Sequence, residues 1–256
     1  MKSKVKYTII VNPKYERLRP FLEQIPITFN DMGSIVYEDR NLIKKIFTPD
    51  GTLINVKRYH EPNGINKYVY SLGIRKPKGM RAFSYPQILL KKGIETPEPI
   101  AYIEERIYGL LGYSYFISIQ CPYEHSMFDV GNAPIGTYEE LAIAFARFTA
   151  NMHEKEVMHM DYSPGNILYQ RQSDGAYNFS LVDINRMYFG PVCCKQGLLN
   201  FKRLWGPKRF FVMMIEAYSQ ARGYDINTSV AFSLDARKRF WRRYCKKHGV
   251  YFKLEL

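Results

Sequence analysis

Cysteine is scarce in this chain and badly placed for structure. Cys121, Cys193, Cys194 and Cys245 are the only four in 256 residues, and none stands in a C-x-x-C pair. That spacing excludes a zinc ribbon and a disulfide scaffold, and it predicts free thiols in a reducing compartment. No apolar run reaches the roughly 20 residues needed to cross a bilayer. The basic start at residues 1–6 leads only into the short apolar run Ile9, Ile10, Val11, so no signal peptide is expected. There is no internal repeat and no low-complexity tract. Acidic residues are also short, with 24 Asp and Glu against 37 Lys and Arg, a net charge of +13.

What is present is a globular composition. Hydrophobic residues make up 46% and aromatics 15%, too much apolar surface for a disordered chain. The charge is divided unevenly. Residues 1–120 hold 19 basic and 11 acidic side chains, residues 121–189 hold 4 and 9, and residues 190–256 hold 14 and 4. Basic flanks around an acidic middle predict a polyanionic partner for the flanks and cations for the middle, although a solvated basic surface without a partner has the same composition. Residues 237–247 carry seven basic residues in eleven, interleaved with Phe240, Trp241 and Tyr244. Such a segment binds phosphates, lies on an anionic membrane surface, or is a solvated helix face packed through its aromatics. No nucleic-acid motif accompanies it, so nucleic-acid binding ranks last among the readings.

The hydrophobic pattern predicts an α+β chain of two lobes. A strand at residues 4–11 and a helical stretch at 15–24 form an N-terminal extension. Strands follow at 34–37, 42–47 and 52–59, then a Gly, Pro and Lys-rich connection at 63–79, a helix at 81–92 closed by Gly93, and strands at 100–104 and 113–120. Pro86 belongs either to the first turn of that helix or to a kink in it. Five strands and one helix make a small N-lobe. Pro122 makes a stiff corner, which places the lobe boundary between residues 1–121 and 122–256. In the second lobe, Leu141, Phe145, Phe148 and Met152 mark a helix over 138–155 with a capping box from Thr137 to Glu140, and residues 190–256 read as mostly helical.

The chemistry concentrates after that helix. Residues 159–168 read H-M-D-Y-S-P-G-N-I-L, and the strands expected at 167–170 and 177–182 form a hairpin whose ends bring Asn166 and Asp183 together. Asp161 and Asn166 stand five apart, the spacing of a phosphoryl-transfer catalytic loop. Such a site needs a carboxylate for the acceptor hydroxyl, oxygen ligands for Mg²⁺ and a cation on the nucleotide phosphates. Asp161 fits the first role, Asn166 and Asp183 the second. Lys57 fits the third, because alternation puts it with Leu53, Asn55 and Tyr59 on one face of its strand. His159 is expected to brace the loop by hydrogen bonding and to take no part in the chemistry.

These residues resemble the lipopolysaccharide core sugar kinases, the Kdo and heptose kinases of Gram-negative bacteria. The resemblance rests on His159-x-Asp161-x-x-x-x-Asn166-Ile167-Leu168 and Asp183-x-x-Arg186, with Val56-Lys57-Arg58-Tyr59 and the T-P-E-P-I-A run at 96–101, and it extends over residues 33–188. It implies a two-lobed protein-kinase-like fold with a small β-rich N-lobe and a mostly helical C-lobe. It implies ATP and Mg²⁺ as cofactors, and a core or lipid A precursor sugar as acceptor. It also implies a cytoplasmic location on the inner-membrane surface, which basic patches would suit.

Three features depart from kinase patterns. No G-x-G-x-x-G loop joins the first strands, Ile184 and Asn185 follow Asp183 in place of Phe-Gly, and the helix at 81–92 has no glutamate for Lys57, Ser84 standing where one is expected. Lys57 is then held by Glu95, Glu98 or Asp183, or held loosely in the free protein, and activity that is weakened or conditional on substrate is the expectation. A pseudokinase-like interaction module of the same fold is the alternative reading.

Overall fold

A computed structural model describes residues 5–132, 134, 136–250 and 254–256; the basic residues 1–4 lie outside the described residues. The chain divides into two compact units, Met1–Lys91 with Thr96–Cys121, and Lys92–Glu95 with Pro122–Leu256.

The first unit is built on an antiparallel sheet of six strands where the sequence pattern suggested five. In chain order they are β1 (Val5–Val11), β2 (Ser34–Glu38), β3 (Leu42–Phe47), β4 (Leu53–Tyr59), β5 (Pro99–Ile107) and β6 (Leu110–Ile119), arranged β1-β5-β6-β4-β3-β2. The sixth strand is the N-terminal segment, which pairs along β5 from Val5 opposite Ile107 to Val11 opposite Ala101. Its partner lies about ninety residues away, beyond the reach of any local pattern.

The rest of the extension also has a structural task. A short 3₁₀ turn (Pro13–Leu18) and helix α1 (Arg19–Thr28) place Tyr15, Leu18, Leu22 and Ile25, with Phe29 just beyond, against Ile54, Val56, Ile103, Tyr115 and Ile117. Leu18, Leu22, Ile25 and Phe29 recur at steps of four, three and four, one helical face, and each buried side chain of this size contributes about 1.5–3 kcal/mol relative to exposure. Arg58 stacks beneath Phe29 and Tyr113 and donates to Asn30 Oδ1 at 2.8 Å.

The opposite face of the sheet carries the polar groups. By strand alternation Lys57 and Tyr59 share it with Tyr102, Glu104, Ser114 and Ser118. Between β4 and β5 come helix α2 (Ile65–Ser71), inside what the sequence suggested was a plain connection, and helix α3 (Lys78–Lys91). α2 escapes pattern reading because it is two turns long and buries only Tyr70. α3 packs on β5 and β6, with Gly79 at its start because a Cβ there would fall 2.7 Å from the Tyr102 ring. It begins three residues earlier than its pattern suggested, so Pro86 is interior and buried, outside the first turn.

In the second unit, helix α4 (Glu139–Glu154) buries Leu141, Phe145 and Met152 as their spacing predicts. The anticipated Thr137–Glu140 capping box does not form. The helix starts one residue later, at an N-cap of Tyr138, so the Glu139 carboxylate accepts the Gly136 and Tyr138 N–H groups while Thr137 Oγ1 donates to Pro134 O. Three short antiparallel pairings follow. Strand β7 (His125–Ser126) pairs with β9 (Ile167–Arg171), β9 with β10 (Tyr177–Leu181), and β8 (Val157–His159) with β11 (Met187–Phe189). Helices α5 (Cys194–Asn200), α6 (Lys208–Ala221) and α7 (Ile226–Cys245) complete the unit, α6 packing on α4 and α7 on α6. No described helix is long and apolar enough to cross a membrane.

The basic run at 237–247 lies on α7 and its continuation. Arg237 departs from a surface reading, since it is fully buried, whereas Lys238, Arg239, Arg242, Arg243, Lys246 and Lys247 are exposed.

Candidate active site

The loop after β8 is held almost entirely by its own backbone. Ser163 N–H donates to Asp161 O at 2.8 Å, and Asn166 N–H to Ser163 O at 3.0 Å. Pro164 opens a one-turn 3₁₀ helix that ends on Asn166, with its fixed φ suited to that first position. Asn166 Nδ2 then reaches back to Asp161 O at 2.9 Å. Because a carbonyl only accepts, this bond sets the amide orientation and leaves Asn166 Oδ1 as the end available to a ligand.

The hairpin returns to this loop as its pattern predicts, with Ile167 opposite Leu181. Val182 clamps the junction: its N–H donates to Asn166 O at 3.0 Å, and its carbonyl accepts from His159 Nε2 at 3.1 Å. The next residue is Asp183, at φ 52° in the left-handed region that Asp enters more readily than most side chains. Its carboxylate accepts from Asn185 Nδ2. The structure therefore gathers Asp161, Asn166 and Asp183 around one loop.

His159 has no exposed surface. Its Nδ1 accepts the Asp161 N–H at 3.1 Å while Nε2 donates to Val182 O, which defines the tautomer and satisfies both ring nitrogens in the neutral form. Burial pushes its pKa down, in keeping with that neutral state. The geometry is that of a brace.

A second buried histidine extends the support. The Tyr218 hydroxyl on α6 donates to His153 Nδ1 at 2.9 Å, His153 Nε2 on α4 donates to Asn200 Oδ1 at 3.2 Å, and Asn200 Nδ2 donates to His159 O at 2.9 Å. Gly197 makes room for this chain, since a Cβ there would stand 2.0 Å from the Tyr218 hydroxyl. Burial lowers the His153 pKa to about 4 from an ordinary 6.5. The unfolded chain therefore takes up this proton well before the folded one does. Stability is full above pH 6.5 and falls as the pH drops towards 4, by about 1.4 kcal/mol per pH unit from this group. Denaturant midpoints at pH 7, 6 and 5 should show a decline that steepens towards that slope below pH 6, and His153→Gln should flatten it.

Asp161 is bracketed by two arginines. Arg203 Nη1 donates to Oδ1, and Arg186 Nη1 to Oδ2 at 3.4 Å. Arg186 belongs to the D-x-x-R pattern. Arg203 carried no sequence signal beyond its place in the basic final third, because it follows Asp161 by 42 residues on a 3₁₀ turn (Phe201–Arg203) after α5.

Lys57 lies in the first unit, in the middle of β4 between Ile43 and Phe116, and is 9% exposed. Its Nζ is 5.1 Å from the Tyr59 ring centroid. Of the carboxylates considered for it, Glu98 accepts from Lys14 Nζ at 2.7 Å and from the Tyr15 hydroxyl at 2.8 Å, and Glu95 accepts from the Tyr123 hydroxyl at 2.9 Å. Ser84 spends its hydroxyl on Met80 O within α3.

Among the described residues no group of three or more His, Cys, Asp or Glu could hold a metal. Asn166 Oδ1 and the Asp183 carboxylate are hard oxygen donors, small in number. They fit Mg²⁺, which takes one or two protein ligands and completes its octahedron with phosphate and water.

A model of the lipopolysaccharide kinase (Kdo/WaaP) family matches residues 47–189, a span that contains Lys57, Asp161, Asn166, Asp183 and Arg186. Among curated proteins none matches the chain. Among solved structures, WaaP in complex with acyl carrier protein is similar with 14% identity over 93% of this chain and 98% of its own, at a TM-score of 0.53. The amicoumacin kinase hAmiN in complex with AMP-PNP, Ca²⁺ and Ami is similar with 9% identity over 92% and 95%, at a TM-score of 0.55. At such identities the likeness is one of fold, and the fold is protein-kinase-like, α+β and two-lobed. With more than half of its length matched by the family model, the chain belongs to the lipopolysaccharide kinase (Kdo/WaaP) family of phosphotransferases.

Proposed function

We propose that this protein is an ATP- and Mg²⁺-dependent kinase that phosphorylates a sugar hydroxyl, on Kdo or heptose, of the lipopolysaccharide core. The observation that carries this reading is the family match across residues 47–189, which takes in every residue that the chemistry needs. Asp161 orients the acceptor hydroxyl and accepts its proton as the hydroxyl oxygen bonds to the γ-phosphorus. The bond to the β,γ-bridging oxygen breaks, and ADP leaves with that electron pair. Asn166 Oδ1 and Asp183 would hold Mg²⁺, whose contribution is to neutralise charge on the phosphates. Lys57 serves the α- and β-phosphates.

The location that goes with this reading is the cytoplasmic face of the inner membrane. The exposed basic residues of α7 and its continuation support attachment there, since each Lys or Arg near an anionic surface contributes about 1 kcal/mol. Mass spectrometry of core oligosaccharide from cells with and without the protein tests the reading. Loss of one phosphate from the core is the expected result. An unchanged core would overturn it in favour of an interaction module with the same fold.

A further inference from the structure

The two arginines on Asp161 exceed what one carboxylate requires. Each guanidinium has five N–H donors, yet among the described residues the guanidinium groups of Arg186 and Arg203 donate hydrogen bonds to Asp161 alone. Their side chains are 45% and 36% exposed, so the remaining donors face solvent beside Asp161.

Both arginines are anchored to the same loop. The Arg186 carbonyl accepts the Met160 N–H at 2.8 Å. Arg203 follows Asn200, whose side chain holds His159 O, and its guanidinium sits 5.6 Å from the Phe240 ring on α7. Two guanidinium groups thus bear on the single Asp161 carboxylate. Planar forks presented side by side suit a carboxylate or a phosphate.

We propose that Arg186 and Arg203 bind an acidic group, carboxylate or phosphate, that the acceptor carries close to the hydroxyl to be phosphorylated. This rests on reading Asp161 as the acceptor-side group. In the free protein both Asp161 oxygens are engaged by guanidinium N–H groups. An acidic acceptor takes those donors for itself and releases a carboxylate oxygen to receive the hydroxyl proton. A neutral sugar leaves the arginines on Asp161, so the pair selects for acidic sugars.

The test uses deacylated core oligosaccharide in three forms: untreated, stripped of phosphate, and with its carboxylates amidated. Arg203→Met should raise the KM for the untreated acceptor about 10- to 100-fold, with the ATP KM unchanged and Arg203→Lys in between. The penalty should vanish on whichever treated form has lost the recognised group, which tells phosphate from carboxylate. An equal loss on all three forms, or a fall in kcat at constant acceptor KM, would overturn the proposal.

A second arm does not need turnover. The Nε–H resonances of Arg186 and Arg203 should shift on titration with glucose 6-phosphate or glucuronate but not with glucose. If the wild-type protein phosphorylates none of the oligosaccharides, the kinase reading fails while these shifts still judge the arginine pair. No shift with either anion overturns the pair.

Discussion

Asp161→Asn lowers phosphate transfer about 10²–10⁴-fold, the range that a positioned acid–base group supplies. The substitution keeps the shape of the side chain and removes its basicity, so the loss falls on kcat while the KM for ATP stays close to wild type. The fold survives. Asp161 is 22% exposed and its arginine partners more so, and ion pairs of that kind contribute about 0–1 kcal/mol. A coupled assay for ADP, run beside a thermal melt, checks both halves. Undiminished turnover by the variant would remove Asp161 from the chemistry. The contrast with Arg203→Met is diagnostic: one variant loses kcat and the other loses acceptor affinity, although the two side chains touch.

The largest expected effect on stability lies elsewhere, at Arg237. This side chain is fully buried in α7 and donates to Gly206 O at 2.8 Å, to Leu204 O at 3.2 Å and to Glu255 O, while its guanidinium lies 4.8 Å from the Phe211 ring. Burial lowers its pKa to about 10, which still leaves it charged at neutral pH. Arg237→Met fills much of the volume but takes the guanidinium donors from the Gly206 and Glu255 carbonyls and leaves Leu204 O with the longer bond from Trp241 Nε1 at 3.4 Å, at a cost of about 3–5 kcal/mol. Calorimetry should show the melting temperature falling by roughly 6–20 °C. Lys238→Ala and Arg242→Ala, two exposed positions in the same basic run, should leave it within about a degree or two. A melt for Arg237→Met that overlays wild type would refute this account of the residue.

The contrast between Arg237 and its neighbours shows how far a charge run can be read. Seven basic residues in eleven identify a basic helix, but only the packing of α7 shows that one of the seven faces inward, tying the helix to the segment at 204–206 and to Glu255. The N-terminal extension gives the same lesson. Its strand and helix were visible as local patterns, yet nothing local could say that the strand pairs with β5 or that Leu22, Ile25 and Phe29 cover the back of the sheet. At α4 the error ran the other way. The Thr137–Glu140 pattern was a sound local signal, displaced when the helix began one residue later.

Of the site itself, the sequence alone determined the parts that lie close along the chain: the spacing of Asp161 and Asn166, the hairpin that returns Asp183, the bracing role of His159, and the face of β4 that carries Lys57. Each of these follows from a period, a turn or a short loop, and such geometry is set within about two dozen residues of chain. The tertiary structure alone decided what holds those parts. It placed Arg203 on Asp161 from 42 residues away, ran the line from Tyr218 through His153 and Asn200 to the His159 carbonyl, and gave Glu98 to Lys14 and Tyr15. Those partners meet only when separate helices and strands pack, and a side chain's choice among partners then depends on burial and distance, neither of which is written in the order of residues.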